Sequence, residues 1–210
     1  MLLPMLAHEV PAGPAIYGYG DAEWHHWENA TLFPWDPMVA YRPVEDGEMG
    51  RVLRADSKAA ASMIRRQVTI DLSRTPRLTW AWKVAGRIAG ADESVRRTDD
   101  APARVYVFWN LHHRNDLVRA QGLGYVWGQR LPAGTVQPDP DSPRIGIFVL
   151  RSVADGVGVW RRESRNLLED FRAYFKREPA GPVTLVSLLT DTDQTGQRAT
   201  AWYGPIEAGR

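Results

Sequence analysis

The chain has 210 residues, which suits one domain with a sizeable hydrophobic core. Its 26 basic and 25 acidic side chains nearly balance and form no basic stripe, so no nucleic-acid partner is expected. No run of about 18 apolar residues occurs, so no membrane-spanning helix is expected. Cysteine is absent, which excludes disulfides and thiolate zinc sites.

The N-terminal part of the chain is irregular. Residues 1–13 are apolar and rich in small side chains, and they are either the remnant of a secretory signal peptide or a disordered start. Residues 14–210 are then expected to form a single domain. Within it, residues 14–49 contain recurrent glycine and proline, which predicts short strands joined by loops.

Alternating side chains predict strands along most of the remaining chain. In the clearest of them, Trp80 and Trp82 lie on a purely apolar face and are expected in the core. Residues 103–109 are apolar on both faces, so one sheet is either covered on its outer side or forms a groove. Strands are predicted at 50–56, within 57–73 as two strands joined by a bend, and at 76–86, 103–110, 123–135 (running into a turn), 143–152, 156–164, 183–190 and 199–206.

One helix is predicted, at residues 166–177. Asn166 is a suitable N-cap, and Glu169 three residues later completes a capping box. The apolar stripe of this helix consists of Leu167, Leu168, Phe171, Tyr174 and Phe175. Eight or more short strands with one helix predict an all-β fold, namely a jelly-roll β-sandwich with one short α-helix and two antiparallel layers.

Two carboxylates one residue apart, Asp191 and Asp193, follow an apolar strand in the stretch DTDQTG. An EF-hand loop is excluded because Trp202 occupies the position of its last glutamate and because strands flank the stretch. Two interpretations remain. Either Asp191 and Asp193 bind a calcium ion in a looser site, or the stretch is a hairpin loop in which Gly196 adopts a positive φ.

A second acidic pair, Asp99 and Asp100, lies at the end of a polar loop just before a strand. Such a pair serves a metal or general acid–base chemistry, or else Arg104 simply neutralises one of the two carboxylates. Neighbours in an extended chain point to opposite sides, so at most one of these acids faces a given site. They are therefore weak candidates for catalytic residues.

Cations beside aromatic side chains are the candidate ligand contacts, because such faces hold acidic sugars and other anions. The pattern places Lys83, Arg104 and Tyr106 on one sheet face, with ordinary solvated charges as the alternative. The predicted ligand contacts are Lys83, Arg104, Tyr106, Trp127, Trp160 and Arg165. Further candidate stacking platforms for a sugar are Trp24, Trp27 and Trp35.

Other chemical motifs are missing from the sequence. The histidines occur as adjacent pairs, His25 with His26 and His112 with His113, and adjacent side chains are expected to diverge, so no zinc site is predicted. There is no nucleophile elbow, P-loop or dinucleotide-binding glycine motif.

Several long segments carry a family resemblance. LTWAWKV, DDAPARVYVFW, GYVWGQRLPAGT, RNLLEDFRAYF and LLTDTDQTGQRATAWYGPI occur in this order and resemble the bacterial family called domain of unknown function 3047, over residues 30–207. The resemblance implies export to the periplasm or beyond, a shape similar to jelly-roll carbohydrate-binding modules, and a structural calcium near the terminal strands. It implies no catalytic residue set. Gln194 stands where most members carry Asn, which loosens any amide role there.

Three functions are consistent with these features. The first is a non-catalytic envelope binding module for a glycan or similar polar ligand, with a structural calcium ion. The second is a structural or assembly protein of the periplasm that docks an envelope protein partner through exposed aromatic side chains. The third is a polysaccharide lyase or hydrolase that uses Asp99, Asp100 and Asp191.

Overall fold

The structure is a computed structural model and describes residues 15–31, 35–111 and 120–210. The expectations for residues 1–13 and for His112 and His113 lie outside the described residues. The elements in chain order are β1 (Ala15–Tyr17), α1 (Asp21–Trp24), β2 (Glu28–Ala30), β3 (Ala40–Asp46), β4 (Gly50–Lys58), β5 (Met63–Ile70), β6 (Arg77–Val84), β7 (Arg104–Trp109), β8 (Gln121–Trp127), β9 (Val136–Pro138), β10 (Ile145–Arg151), β11 (Arg161–Asn166), α2 (Leu167–Phe175), β12 (Val183–Leu189), β13 (Arg198–Tyr203) and β14 (Ile206–Gly209).

The strands build two seven-stranded sheets, as predicted for a jelly-roll β-sandwich. Sheet A has the order β1-β14-β6-β13-β4-β3, with β11 also paired to β6, and sheet B has the order β2-β5-β12-β7-β8-β10-β9. No helix in the described part of the chain is long and apolar enough to cross a membrane.

The expectation of two wholly antiparallel layers is wrong at one place in sheet B. Strands β8 and β10 are parallel, with Ile145 opposite Gly122. The chain leaves β8 for the edge strand β9 and returns as β10 between the two, so β10 runs in the same direction as β8. A parallel pair requires such a crossover, and a two-residue hairpin cannot provide it.

The core lies between the inner faces of the two sheets. Leu78, Trp80, Trp82 and Val84 of β6 all point into it, as their alternation predicts. Trp82 packs against Trp127 of sheet B with ring centroids 5.8 Å apart. Trp127 is only 1% exposed, so its expected role as a stacking platform for a sugar is wrong. Its strand alternates with Leu123 and Tyr125 on the same inward face, and burial of the large indole contributes to the core instead.

The helix α2 forms where its capping signal predicts. The Asn166 side chain accepts hydrogen bonds from the backbone N–H groups of Leu168 and Glu169, at 3.1 and 3.2 Å. Phe171 packs on Trp109 of the core, with centroids 4.8 Å apart. The helix ends at Lys176, which adopts a left-handed conformation with φ of 55°.

The outer face of sheet B is covered, which accounts for the apolar character of β7 on both faces. Tyr106 and Phe108 are buried in a second apolar cluster on that face, with stacked rings 5.8 Å apart. Their rings lie over Gly124 and Gly122 of β8, where an added Cβ would come within 2.5 Å of the Tyr106 ring and 2.8 Å of the Phe108 ring. Only glycine leaves room for aromatic rings lying flat on the sheet.

Candidate binding site

The six predicted ligand contacts do not form one site. Lys83 belongs to β6 of sheet A, whereas Arg104 and Tyr106 belong to β7 of sheet B, so the expectation that these three share a sheet face is wrong. Alternation within a strand shows which residues share a face, but it does not show which sheet the strand joins.

A groove on the outer face of sheet A is the cavity best placed for a ligand, with a volume of about 320 Å³. Three neighbouring strands form its floor, because Ala81 of β6 pairs with Arg162 of β11, and Thr79 pairs with both Ser164 of β11 and Glu207 of β14. The small side chains along its middle leave the hollow open between longer neighbours. The lining residues are Met49, Thr79, Trp80, Ala81, Arg162, Glu163, Ser164, Pro205 and Glu207.

A row of alternating cationic and aromatic side chains lies beside the groove on the same face. Lys83 pairs with Trp202 of β13, and Trp202 pairs with Arg54 of β4. The Lys83 Nζ atom lies 4.7 Å from the Trp160 ring centroid and 4.9 Å from that of Trp202, and the Arg54 guanidinium lies 5.5 Å from Trp202. These distances are typical of cation–π contacts, so the row is a fixed arrangement of charges and indoles.

Asp46 holds this row in place. Its carboxylate accepts a hydrogen bond from Lys83 Nζ at 2.8 Å and one from Trp160 Nε1 at 3.1 Å. The hydrogen bond from Lys83 is the main reason that the pKa of Asp46 is lowered to about 2. At neutral pH the carboxylate is therefore ionised and Lys83 stays between the two indoles.

One of the two glutamates that line the groove is already engaged. Glu163 accepts hydrogen bonds from Trp82 Nε1 at 2.9 Å and from Arg151 Nε at 2.7 Å. Acid–base catalysis by a carboxylate pair needs two groups free to exchange protons with the substrate. The carboxylate left for a ligand in this groove is that of Glu207.

Arg104 is a buried structural cation and is only 2% exposed. Its Nη2 atom donates to the Asp99 carboxylate at 2.7 Å and to the Asp99 carbonyl at 2.6 Å, and Nη1 donates to the Tyr106 hydroxyl at 3.1 Å. Burial raises the pKa of Asp99 to about 6, while the charge of Arg104 opposes the rise. Arg104 thus neutralises Asp99, which is one of the two roles considered from the sequence.

The neighbouring acids Asp99 and Asp100 point to different places, as expected for consecutive residues. Asp99 meets Arg104, whereas Asp100 accepts hydrogen bonds from the backbone N–H groups of Gln194 and Thr195, at 3.2 and 2.8 Å. Asp100 therefore fixes the loop that carries Asp191 and Asp193. Gly196 in this loop has the expected positive φ, +67°. The expectation of a hairpin loop is nevertheless wrong, because the loop joins β12 of sheet B to β13 of sheet A.

Arg165 contacts α2. Its Nε atom donates to Asp170 at 2.9 Å, and the Tyr125 hydroxyl donates to the same carboxylate at 2.8 Å. The three side chains thereby join the helix to sheet B.

The histidines that the structure describes do not diverge. The rings of His25 and His26 lie 3.9 Å apart, because both residues are in the turn after α1 and not on a strand. Among the described residues, neither belongs to a group that could hold a metal ion.

A family model described as "Protein of unknown function (DUF3047)" matches residues 25–207. The chain belongs to this family. The matched range contains Met49 and Glu207 at the two ends of the groove lining, as well as the loop after β12. No functionally curated protein matches this DUF3047 chain.

Solved structures resemble the chain in fold. The family 11 carbohydrate-binding module of the Clostridium thermocellum cellulase Lic26A-Cel5E is 9% identical, with a TM-score of 0.49 over 96% of this chain and 97% of that one. The K1 cleaved adhesin domain of Lys-gingipain from Porphyromonas gingivalis W83 is 14% identical, with a TM-score of 0.44 over 93% and 96%. Fold similarity at this level places no function on the DUF3047 chain.

Sequence reasoning did not identify Trp202, Asp46 or Glu207. Trp202 and Glu207 point outward by simple alternation along β13 and β14, and this signal was available in the sequence. The contact of Asp46 with Lys83 depends on strand order and register across sheet A, which alternation alone does not provide.

Proposed function

We propose that the protein is a non-catalytic binding module that holds a glycan or similar polar ligand in the groove on the outer face of sheet A. The observation that supports this function is the groove itself, a hollow of about 320 Å³ next to a fixed row of indoles and cations. Small-molecule sites typically occupy about 300–1,000 Å³ and combine apolar walls with a few placed polar groups.

The lining of the groove fits a ligand that has hydroxyl groups and apolar edges. Thr79 and Ser164 offer hydroxyls, and Arg162 and Glu207 offer charged donors and acceptors on opposite sides of the floor. Met49 contributes an apolar wall. Sugar rings present this combination of polar rim and apolar C–H face.

The structure gives less support to a lyase or hydrolase. The acids considered for that chemistry, Asp99, Asp100 and Asp191, do converge on the region of Arg104. All three are buried, however, and a polysaccharide must reach the carboxylates that act on it. Glu163 lies opposite Trp80, whose side chain faces the core, and is engaged as described, so Glu207 is the one carboxylate among the described lining residues that is left for a ligand.

A role in assembly is supported by a separate feature. Val157 and Val159, which precede Trp160, are exposed and give the edge of sheet A an apolar tip. An envelope protein partner would dock on this tip beside the groove. We place both roles outside the cytoplasm, in the periplasm or among secreted proteins, because that is where envelope glycans and their partners occur.

Titration of the protein with a panel of neutral and acidic glycans, followed by calorimetry or NMR, tests the binding function. Ser164→Trp places a large ring in the groove at an exposed position, and we expect it to weaken binding by about tenfold or more, which corresponds to about 1.4 kcal/mol of binding free energy. The matched control is Arg172→Ala, which changes an exposed residue on α2 and should leave the affinity unchanged. A panel without any binding glycan, or equal affinity in Ser164→Trp, would refute the proposal.

A further inference from the structure

Six aspartates form two triads. In each triad, one carboxylate oxygen from every member lies within 4.8 Å of the others. The first triad consists of Asp99, Asp139 and Asp141, and the second consists of Asp100, Asp191 and Asp193. Their surroundings differ in one respect, which is the supply of positive charge.

The first triad is neutralised by arginines. Arg104 binds Asp99 at 2.7 Å, and Arg96 forms an ion pair with Asp141. Asp139 accepts hydrogen bonds from the backbone N–H groups of Asp141 and Ser142, at 2.9 and 3.1 Å. These contacts compensate the three carboxylates without any further ion.

The second triad lacks arginine ion pairs among the described residues, although Asp100 accepts hydrogen bonds from the backbone N–H groups of Gln194 and Thr195. None of its three carboxylates forms an ion pair with a lysine, arginine or histidine in the described ranges. Arg104 is the cation whose charge acts on Asp191, but its hydrogen bonds go to Asp99 and Tyr106. Three carboxylates at this distance repel one another strongly where water is excluded.

The buried carboxylate of Asp191 provides a second observation that points to a cation. It is only 6% exposed, and its Oδ1 atom is buried without a hydrogen-bond partner among the residues that the structure describes. A buried carboxylate oxygen costs free energy unless a proton donor or a cation meets it.

We propose that Asp100, Asp191 and Asp193 bind a divalent cation, and that the cation is Ca²⁺. The triad offers only oxygen ligands, which excludes the soft metals that prefer thiolate or imidazole. Its residues come from two irregular segments, and calcium accepts six to eight oxygens in such flexible surroundings, whereas Mg²⁺ demands a regular octahedron.

The ion would join two parts of the sandwich. Asp191 and Asp193 lie in the loop that leads from β12 in sheet B to β13 in sheet A, and Asp100 precedes β7. Asp100 already accepts hydrogen bonds from the N–H groups of Gln194 and Thr195 in that loop. The cation would add a second link between Asp100 and the same loop. This role does not depend on the glycan-binding function.

Thermal unfolding of the full chain, first with EDTA and then with Ca²⁺ or Mg²⁺, tests the proposal. We expect saturating Ca²⁺, about 100-fold above its Kd, to raise the Tm by roughly 5–10 °C, with a smaller effect of Mg²⁺. Asp193→Asn changes an exposed member of the triad, and it should weaken calcium binding by about tenfold or more in calorimetry because it removes a charged ligand. The matched control Asp141→Asn belongs to the arginine-neutralised triad and should keep the full calcium response.

The effect of Asp193→Asn should change sign with calcium. In EDTA the substitution removes a repelling charge, so it should raise the Tm relative to the natural chain, whereas in Ca²⁺ it should lower the Tm. A chain that does not respond to Ca²⁺, with Asp193→Asn stabilising in both buffers, would show that the triad shares a proton and would overturn the proposal. The proposal would also be overturned if Asp141→Asn lost the calcium-induced rise in Tm as fully as Asp193→Asn does. Calcium binding would then not be specific to the triad of Asp100, Asp191 and Asp193.

Discussion

Replacing Arg104 by methionine is the sharpest test of the structural role that we assign to this residue. Methionine keeps most of the aliphatic volume and removes the guanidinium. Arg104 makes four hydrogen bonds, three to Asp99 and one to the Tyr106 hydroxyl, and both Arg104 and Asp99 are buried. The substitution therefore leaves a buried carboxylate without its counter-ion.

The expected loss of stability follows from these contacts. The two short hydrogen bonds to Asp99, at 2.6 and 2.7 Å, are charge-assisted and are worth about 1.5–3 kcal/mol each, or about 3–6 kcal/mol together. Breaking one side of a buried ion pair typically costs about 3–5 kcal/mol, in agreement with this sum. In a chain of this length, such a loss lowers the Tm by about 6–20 °C.

Urea denaturation in the presence of EDTA measures the effect without interference from bound cations. Arg172→Met is the matched control, because Arg172 pairs with Glu178 on the exposed surface and such pairs are worth about 0–1 kcal/mol. The double variant Arg104→Met with Asp99→Asn should recover at least half of the loss, because no unpaired charge remains. If Arg104→Met costs no more than the control, the guanidinium does not stabilise the fold and our assignment is wrong.

Two further predictions concern other parts of the sandwich. Gly124→Ala should lower the free energy of unfolding, measured in urea, by about 1–3 kcal/mol, because its Cβ would lie 2.5 Å from the Tyr106 ring. The control Gly86→Ala meets no atom within 4 Å and should change this free energy by less than about 0.5 kcal/mol. Equal effects of the two substitutions would contradict the close packing. Asp46 has its folded-state pKa lowered to about 2, below the ordinary 3.8, so its contribution to stability should be full above about pH 4 and lost as the pH falls towards 2. The Tm of the natural chain should accordingly exceed that of Asp46→Asn at neutral pH and match it near pH 2, and a constant difference would contradict the lowered pKa.

Much of the fold could be predicted because its signals are local. The alternation of Leu78, Trp80, Trp82 and Val84 gives the buried face of β6 correctly. Asn166 marks the start of α2. Of the two strands predicted within residues 57–73 only β5 forms there as a separate strand, because residues 57–58 continue β4, and the predicted bend is the gap between them. These features depend on neighbours a few residues apart, which the sequence displays directly.

The site could not be predicted to the same extent because it depends on pairing between distant segments. Lys83 meets Asp46, Trp160 and Trp202 only after β6 has taken its place between β11 and β13. One strand pattern is compatible with either sheet, so the sequence does not show that Lys83 and Arg104 lie in different sheets. For Trp127 the sequence does contain the signal for burial, because Leu123 and Tyr125 share its face.

The two outer faces of the sandwich explain why binding is proposed on only one of them. On sheet B, glycine at positions 122 and 124 lets the rings of Phe108 and Tyr106 lie flat on the strands, and the face is closed by apolar packing. On sheet A, Ala81 is buried in a small cluster with Trp160 and Val52, and the groove opens beside this cluster between longer side chains. The outer face of sheet A therefore keeps a hollow that the packed rings of sheet B do not leave. A large side chain introduced at the rim of the sheet A groove should therefore weaken ligand binding more than it lowers the stability of the fold. A single methyl group beneath the rings of sheet B should mainly lower the stability.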